Sequence, residues 1–289
     1  MVVHQPVLVR PVPETPRFPF IADDVIETLG VQPESDLDDL SAVLCMDRMM
    51  APKRQARAAA LMQNDCFQSW LKSPDSQMLA VNGMGYDARP YTALSYFAAL
   101  LRQTLSQLDV AGDKQVMTLI FFCGEHLESG DELKGPVGLM RSLCAQFLLA
   151  FSEQLDLAFI DHGFSTSLHS RHVDALCALF RELLASAARA VGRCVFICII
   201  DKVCSFEDES NLADLDRVMA CLRSIASVEP QDGFIVFKML AMSGVASMNA
   251  GRWFGAEGIL SMEDEVHNGG EEYGEFHMLS DSADLIGTS

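Results

Sequence analysis

The chain has 289 residues, about half of them hydrophobic, and a formal net charge of -19. This length and apolar content suffice for one substantial core with a smaller appendage, and they exclude a chain that is disordered throughout. The acidic balance excludes a nucleic-acid surface, which needs clustered Lys and Arg, but it is compatible with a basic peptide partner.

No apolar run reaches the roughly 18 to 20 residues that span a bilayer, because runs 116–123 and 195–200 end at Gly124 and Asp201. Residues 1–20 lack the charged start and long apolar stretch of a secretory signal. Six of the nine cysteines lie within apolar segments, which is typical of reduced, buried thiols: Cys123, Cys144, Cys177, Cys194, Cys198 and Cys221. We therefore expect a cytoplasmic protein with no membrane partner.

The first 75 residues contain two segments of different character. Residues 1–21 hold five prolines, which predicts an extended segment because proline fixes φ and removes backbone donors. In residues 22–75, apolar side chains recur at helical spacing, first around Leu40 and then around Trp70. This pattern predicts a helical lead-in.

Residues 76–250 alternate between buried strands and amphipathic helices. Four apolar runs with little alternation, as expected for strands covered on both faces, are 77–81, 116–123, 195–200 and 234–240. Apolar residues at helical spacing separate them. The pattern predicts an α/β fold with a three-layer, doubly wound, mostly parallel sheet, and ligands at the carboxyl ends of its strands.

The stretch after the first run stands where a phosphate-binding loop would lie. That template is Gly, four residues, then Gly-Lys-Ser/Thr between a strand and a helix. Counting from Gly83 puts Ala88 at the second glycine, Arg89 at the lysine and Pro90 at the hydroxyl residue. Pro90 has neither a hydroxyl for magnesium nor an N–H for phosphate. Arg89 would hold an anion with its guanidinium fork or lie on the surface at a helix start. The candidate phosphate contacts are Asn82, Gly83, Gly85 and Arg89.

Asp201 ends the third apolar run. P-loop enzymes use a carboxylate in this position to reach the magnesium shell. The next residue, Lys202, stands where such a hydrolase commonly has an acid that orients the attacking water. Asp201 would equally pair with Lys202 or cap a turn. It is a metal ligand only if a magnesium nucleotide binds, and we expect no other metal site.

Six segments in order carry a resemblance that covers about residues 58–247. They are Phe67-x-x-Trp70-Leu71; Met78-Leu79-Ala80-Val81 with Asn82-Gly83; Phe121-Phe122-Cys123-Gly124; the helix from Leu139 through Arg141 and Gln146 to Leu148; Ile199-Ile200-Asp201; and Lys238-Met239-Leu240-Ala241-Met242-Ser243. Their order and spacing resemble a NACHT-type domain of the STAND P-loop NTPases, most of all the degenerate versions of filamentous fungi.

This resemblance implies a module that switches between ADP-bound and ATP-bound states and relays a signal between an effector and C-terminal repeats. The sequence departs from the family at the loop lysine and hydroxyl, after Asp201, and at Gly244, where arginine is frequent. Residues 251–289 follow in place of a winged helix. Six acids and several glycines at 263–275 predict that this stretch is an acidic, disordered tail.

These features predict a catalytically degenerate P-loop-NTPase-like domain that acts as a regulatory or protein-interaction module, without a cofactor and with an unidentified protein partner. The first alternative is a switch that binds Mg-ATP or Mg-GTP weakly. A second is a Cys-His hydrolase built on Cys123 and His126. Zinc ligation by His162, His169 and His172 is a further idea that the sequence permits.

Overall fold

The computed structural model describes residues 20–45, 59–83, 91–107, 115–191, 194–228 and 235–262. The helices are α1 (Ala22–Leu29), α2 (Ser35–Cys45), α3 (Asp65–Lys72), α4 (Ala93–Gln107), α5 (Gly135–Phe151), α6 (His162–His169), α7 (Val173–Val191), α8 (Leu212–Ala226) and α9 (Ala250–Phe254). A short 3-10 helix covers Val203–Phe206, and residues 59–62 are also helical.

Five strands form one sheet in the order β2-β3-β4-β1-β5, and every neighbouring pair is parallel. Their bounds are β1 (Gln77–Asn82), β2 (Gln115–Phe122), β3 (Cys194–Asp201), β4 (Ile235–Ser243) and β5 (Ile259–Ser261). The four apolar runs of the sequence are the first four of these strands. The predicted three-layer α/β fold with a parallel sheet is therefore confirmed.

Alternate residues of each strand enter two different cores. On β3, Phe196 and Cys198 lie in a main core with α1 and α5 to α9, whereas Ile197 and Ile199 lie in a second core with α2, α3 and α4. Side chains on successive strand positions point to opposite faces, so a strand covered on both faces is apolar throughout. The helical lead-in predicted for 22–75 is thus divided between the two layers.

Two lead-in helices are bound at their C-terminal ends by buried cations of the sheet domain. Arg141 of α5 donates to the carbonyl oxygens of Leu29 and Gly30 at the end of α1, at 2.5 and 2.7 Å. Lys238 of β4 donates through Nζ to the carbonyl oxygens of Trp70 and Leu71 in α3. The last carbonyls of a helix lack helical partners and carry partial negative charge, so a cation satisfies both.

Residues 250–262 extend the fold beyond the predicted boundary at residue 250. Trp253 of α9 is buried in the main core, and β5 pairs in parallel with β1, with Ile259 opposite Ala80. The predicted disordered tail at 251–289 therefore begins too early, because a five-residue helix and a three-residue strand are too short to show a period. Residues 263–289, and the Pro-rich segment except for its last two residues, lie outside the described residues.

Candidate functional site

The carboxyl ends of β1, β3 and β4 bring three polar residues to one edge of the sheet. Asn82 ends β1, Asp201 ends β3 and Ser243 ends β4. All three are buried. Of the predicted phosphate contacts, Asn82 and Gly83 are described here, whereas Gly85 and Arg89 lie outside the described residues.

The neighbouring strands β1 and β4 send their next helices to opposite faces of the sheet. The chain leaves β1 for α4, which lies in the second core, and leaves β4 for α9, which reaches the main core through Trp253. In open α/β sheets, such a point of divergence at the carboxyl edge is where ligands bind. Ligand binding at this edge stays a prediction.

Asn82 is hydrogen-bonded to two segments that lie beside the end of β1. Its backbone oxygen accepts from the amide of Met262 at 2.8 Å, and its side-chain oxygen accepts from the amide of Ser247 at 3.3 Å. The next amide, that of Gly83, donates to the carbonyl oxygen of Ser243 at 2.7 Å. Asn82 therefore positions the connection after β4, and its predicted contact with phosphate stays a prediction.

Gly83 faces a second glycine at a distance that excludes a side chain. A Cβ atom on Gly83 would lie 2.7 Å from the carbonyl oxygen of Gly244, and a Cβ atom on Gly244 would lie 2.8 Å from Cγ2 of Thr92. Real Cβ contacts do not come this close. The three segments after β1, after β4 and before α4 are thus packed together at the carboxyl edge of the sheet.

Helix α4 begins at this edge with a reciprocal cap. The amide of Thr92 donates to Oγ of Ser95 at 2.9 Å, and the amide of Ser95 donates to Oγ1 of Thr92 at 3.1 Å. Such a cap satisfies amides that have no helical partner. The pattern Thr-x-x-Ser was visible in the sequence as a helix-start signal, but the sequence interpretation did not use it.

Asp201 is 1% exposed, and its Oδ1 atom has no hydrogen-bond partner among the described residues. Burial raises the pKa of this carboxyl to about 7, although hydrogen bonding from Ser95 and the charge of Lys202 act in the opposite direction. A buried carboxyl with a free oxygen is costly unless it is protonated or bound by a cation or donor. Asp201 is therefore the residue at this edge whose charge state depends most on its surroundings.

Lys202 follows Asp201 in a left-handed conformation, with φ of 53°. Its side chain is largely buried, and its backbone oxygen accepts from the amide of Ser205 at 2.8 Å. The positive charge of Lys202 acts to lower the pKa of Asp201; an ion pair between the two stays a prediction. A cation in this place competes electrostatically with a metal ion.

Glu207 binds the segment between β4 and α9. Its carboxylate accepts from the amides of Met248 and Asn249, at 2.8 and 3.2 Å, and from the hydroxyl of Ser247. The contact joins residues about forty positions apart, so the sequence had no signal for it. Glu207 is occupied as a structural ligand and is not a free acid beside Asp201.

Cys123 and His126 do not form the thiolate-imidazole pair considered from the sequence. Burial raises the pKa of the Cys123 thiol well above its usual range. Both ring nitrogens of His126 contact carboxylates: Nε2 lies 2.9 Å from Oδ2 of Asp39, and Nδ1 lies 3.1 Å from both oxygens of Asp131. The ring therefore has no nitrogen left to activate a thiol, and the geometry disfavours a Cys-His hydrolase.

Glu125, on the connection after β2, is a further acid with a hydrogen-bond partner. Glu125 accepts a hydrogen bond from the Tyr91 hydroxyl at 2.6 Å. Burial and this bond to the Glu125 carboxylate raise the pKa of Tyr91. The pairs Tyr91–Glu125 and Asp39–His126 join α2 and the start of α4 to the connection after β2, and neither was foreseen from the sequence.

Metal-ligating residues do not gather elsewhere in the part of the chain that the structure describes, where no group of three His, Cys, Asp or Glu could hold an ion. One of the histidines considered as a zinc ligand, His169, has a ring nitrogen in contact with its own helix: Nδ1 lies 2.8 Å from the carbonyl oxygen of Ser165. Only Asp201 presents a buried, unpartnered carboxylate oxygen in these ranges.

Comparison with known proteins finds no matching family model, no matching curated protein and no matching solved structure. Within the described ranges, none of the helices has the length and apolar character that crossing a bilayer requires. The class that can be stated is therefore an α/β protein with a five-stranded parallel sheet that carries three buried polar residues at its carboxyl edge.

Proposed function

We propose that this chain is a P-loop-NTPase-like domain that has lost nucleotide hydrolysis and acts in the cytoplasm as a regulatory or protein-interaction module. It is a degenerate relative of the NACHT-type STAND domains of filamentous fungi. Its partner is a protein, and the charge of -19 favours a basic segment on that partner.

The observation that carries this proposal is the surroundings of Asp201, which lies beside the positive charge of Lys202. In hydrolases of this type a strand-end carboxylate cooperates with a loop hydroxyl to hold magnesium, and a further residue positions water. Here Pro90 replaces the hydroxyl residue, and Lys202 adds positive charge beside Asp201. Glu207, the next acid along the chain, is occupied by backbone amides. In the described part of the chain, both acids closest to this edge are hydrogen-bonded, Glu207 to backbone amides and Glu125 to the Tyr91 hydroxyl.

A weak nucleotide switch is the second candidate, and one observation favours it. Oδ1 of Asp201 is buried without a partner in the described residues, at the carboxyl end of β3. A magnesium ion carried in by ATP or GTP would supply the missing partner and favour the ionised carboxylate. This candidate predicts binding that requires both Mg²⁺ and Asp201.

Titration calorimetry of the full chain with ATP, ADP and GTP, with and without Mg²⁺, distinguishes the two candidates. The leading proposal expects no heat of binding up to millimolar nucleotide. Saturable, Mg²⁺-dependent binding at micromolar concentration that disappears in Asp201→Ala would overturn it in favour of the switch.

A restored loop provides the positive control. The triple change Ala88→Gly, Arg89→Lys and Pro90→Ser rebuilds the phosphate-binding template. If the domain is P-loop-like, the restored chain gains Mg²⁺-dependent nucleotide affinity, and adding Asp201→Ala removes it again. Failure of the restored, folded chain to bind any nucleotide would contradict the assignment of the domain itself.

A further inference from the structure

A buried histidine joins helix α2 to the connection that follows β2. His126 is 6% exposed, and Phe121 of β2 stacks on its ring at a centroid distance of 4.7 Å. Its Nε2 lies 2.9 Å from a carboxylate oxygen of Asp39 in α2, and its Nδ1 lies 3.1 Å from both carboxylate oxygens of Asp131. Both ring nitrogens therefore face carboxylates, which come from two different parts of the chain.

This geometry fits a doubly protonated ring. A neutral imidazole has one N–H donor and one nitrogen lone pair, whereas the imidazolium has two N–H donors, and an ionised carboxylate only accepts. The side chains of Asp39 and Asp131 are 20% and 25% exposed, so water reaches them and favours the ionised form. Both carboxylates can accept from the ring at once only while it carries its positive charge.

The two carboxylates are unequally attached to the ring. Asp131 lies on the same connection as His126, and its Oδ1 also accepts from the amide of Leu133 at 2.7 Å. Asp39 is 87 positions away in the chain and reaches the ring with one oxygen. A ring that loses a proton keeps its remaining N–H for Asp131, and its Nε2 lone pair then faces a negative oxygen of Asp39. The contact with α2 is therefore the one that deprotonation breaks.

We propose that His126 is a pH-sensitive clasp for α2: the protonated ring holds this helix on the sheet domain, and loss of one proton releases it. Helix α2 places Val43 in the second core, and Leu40 and Leu44 pack against that core with partial burial. Release would uncover these apolar side chains and the surface beneath them. The inference is independent of nucleotide binding, because none of the groups of the clasp is a predicted phosphate or metal contact.

The charges around the ring set the direction of the switch. Burial lowers the pKa of His126, but the hydrogen bonds and charges of Asp39 and Asp131 outweigh this effect and raise the pKa above 6.5. A raised folded-state pKa means that the stabilisation is present below pH 6.5 and is lost as pH rises through the folded-state value. The clasp is therefore closed on the acidic side and opens on the alkaline side.

Other charged groups also face α2 and its partners. Asp39 acts on Tyr91, whose hydroxyl is bound to Glu125. On the same helix, Asp36 interacts with Arg102 of α4, and burial raises the pKa of Asp36. A raised carboxyl pKa gives a pH dependence of the same sign as the clasp, so the experiment has to separate Asp36 from His126.

Hydrogen exchange of the full chain, followed by mass spectrometry at a series of pH values on both sides of neutrality, tests the clasp. Exchange rates are corrected for the intrinsic effect of pH on amides and expressed as protection. One charge-assisted hydrogen bond changes an equilibrium about tenfold or more. We therefore expect the protection of the α2 peptide to fall about tenfold as pH rises, with its midpoint at the pKa of His126 measured by NMR.

Matched variants on α2 complete the experiment. Asp39→Asn provides an amide that accepts from an N–H or donates to a bare ring nitrogen, so α2 should be protected nearly equally at every pH. Asp36→Asn and the exposed Asp38→Asn should keep the full change. The measurement on the parent chain does not depend on whether these variants fold. Constant protection of α2 in the parent across the pKa of His126, a change that persists in Asp39→Asn, or one that disappears in Asp36→Asn would each overturn the proposal.

Discussion

Asp201 ends β3, and the strand residues before it, 196–200, are buried apolar side chains. One of its carboxylate oxygens has no partner in the described residues. The folded-state pKa of about 7 is above the ordinary value of 3.8. The folded protein thus binds a proton more tightly than the unfolded chain. Between these two pKa values the free energy of unfolding falls as pH rises, and the stabilisation that is present below pH 3.8 is lost above pH 7.

Asp201→Asn should remove this pH dependence. Relative to the parent, the variant should gain stability steadily from pH 5 to pH 8, because it cannot acquire the buried charge. Urea unfolding at several pH values measures the difference. The exposed Glu182→Gln serves as the control and should give a constant difference. A constant difference for Asp201→Asn as well would show that the carboxyl is not buried as described.

His126 is another residue whose state depends on its neighbours. Burial lowers its pKa, but the carboxylates of Asp39 and Asp131 outweigh this effect and raise the pKa above 6.5. Stabilisation from the protonated ring is present below pH 6.5 and is lost as pH rises through the folded-state pKa.

Asp39→Asn should lower the pKa of His126, since it removes one of the two carboxylates that favour the charged ring. The pKa is followed through the ring proton signals of His126 in an NMR titration. Asp38→Asn, on the same helix but exposed, should leave it unchanged. Equal pKa values in the parent and Asp39→Asn would mean that α2 does not reach the ring in solution.

At the scale of elements, the outer edge of β2 is closed by a side chain. Gln146 of α5 accepts from the amide of Ile120 at 3.0 Å and donates to its carbonyl oxygen at 2.8 Å. Its carboxamide takes the place of a neighbouring strand. An open edge would invite pairing with another chain, so this contact both satisfies buried groups and protects the sheet.

Gln146→Leu should cost about 2 kcal/mol in the free energy of unfolding, because it leaves the amide and carbonyl of Ile120 without partners. Thermal or urea unfolding measures the loss. Gln154→Leu changes an exposed glutamine just after the same helix and should change stability by no more than about 0.5 kcal/mol. Similar small effects for both changes would contradict the edge contact.

Across the whole molecule, two cores share one sheet, and the fold ends at β5. Trp253 binds this last part to the main core: its ring is buried, and its Nε1 donates to Oδ1 of Asp216 at 2.8 Å.

Trp253→Ala should lower the free energy of unfolding by about 3 kcal/mol, measured by urea unfolding. Met248→Ala, at a side chain that is 82% exposed, should be nearly neutral. Equal effects would mean that residues 250–262 are not part of the cooperative fold.

The sequence predicted the parts of the molecule that depend on local periodicity. Unbroken apolar runs marked β1 to β4 because both faces of these strands are covered, and Asp201 was located at a strand end by the same pattern. The three-residue strand β5 was missed because so short an element has no period. The phosphate-loop assignment at Gly85 and Arg89 stays a prediction.

Only the tertiary structure decided which of these parts meet. The order of the strands, the contact of Gly83 with Gly244, and the pairing of His126 with Asp39 join residues that are far apart in the chain. The burial of Asp201 and the contact of Cys177 with Cys221 depend on the packing of whole layers. Local sequence determines the period of an element through its own side chains, whereas long-range pairs depend on how the layers pack, which no local pattern contains.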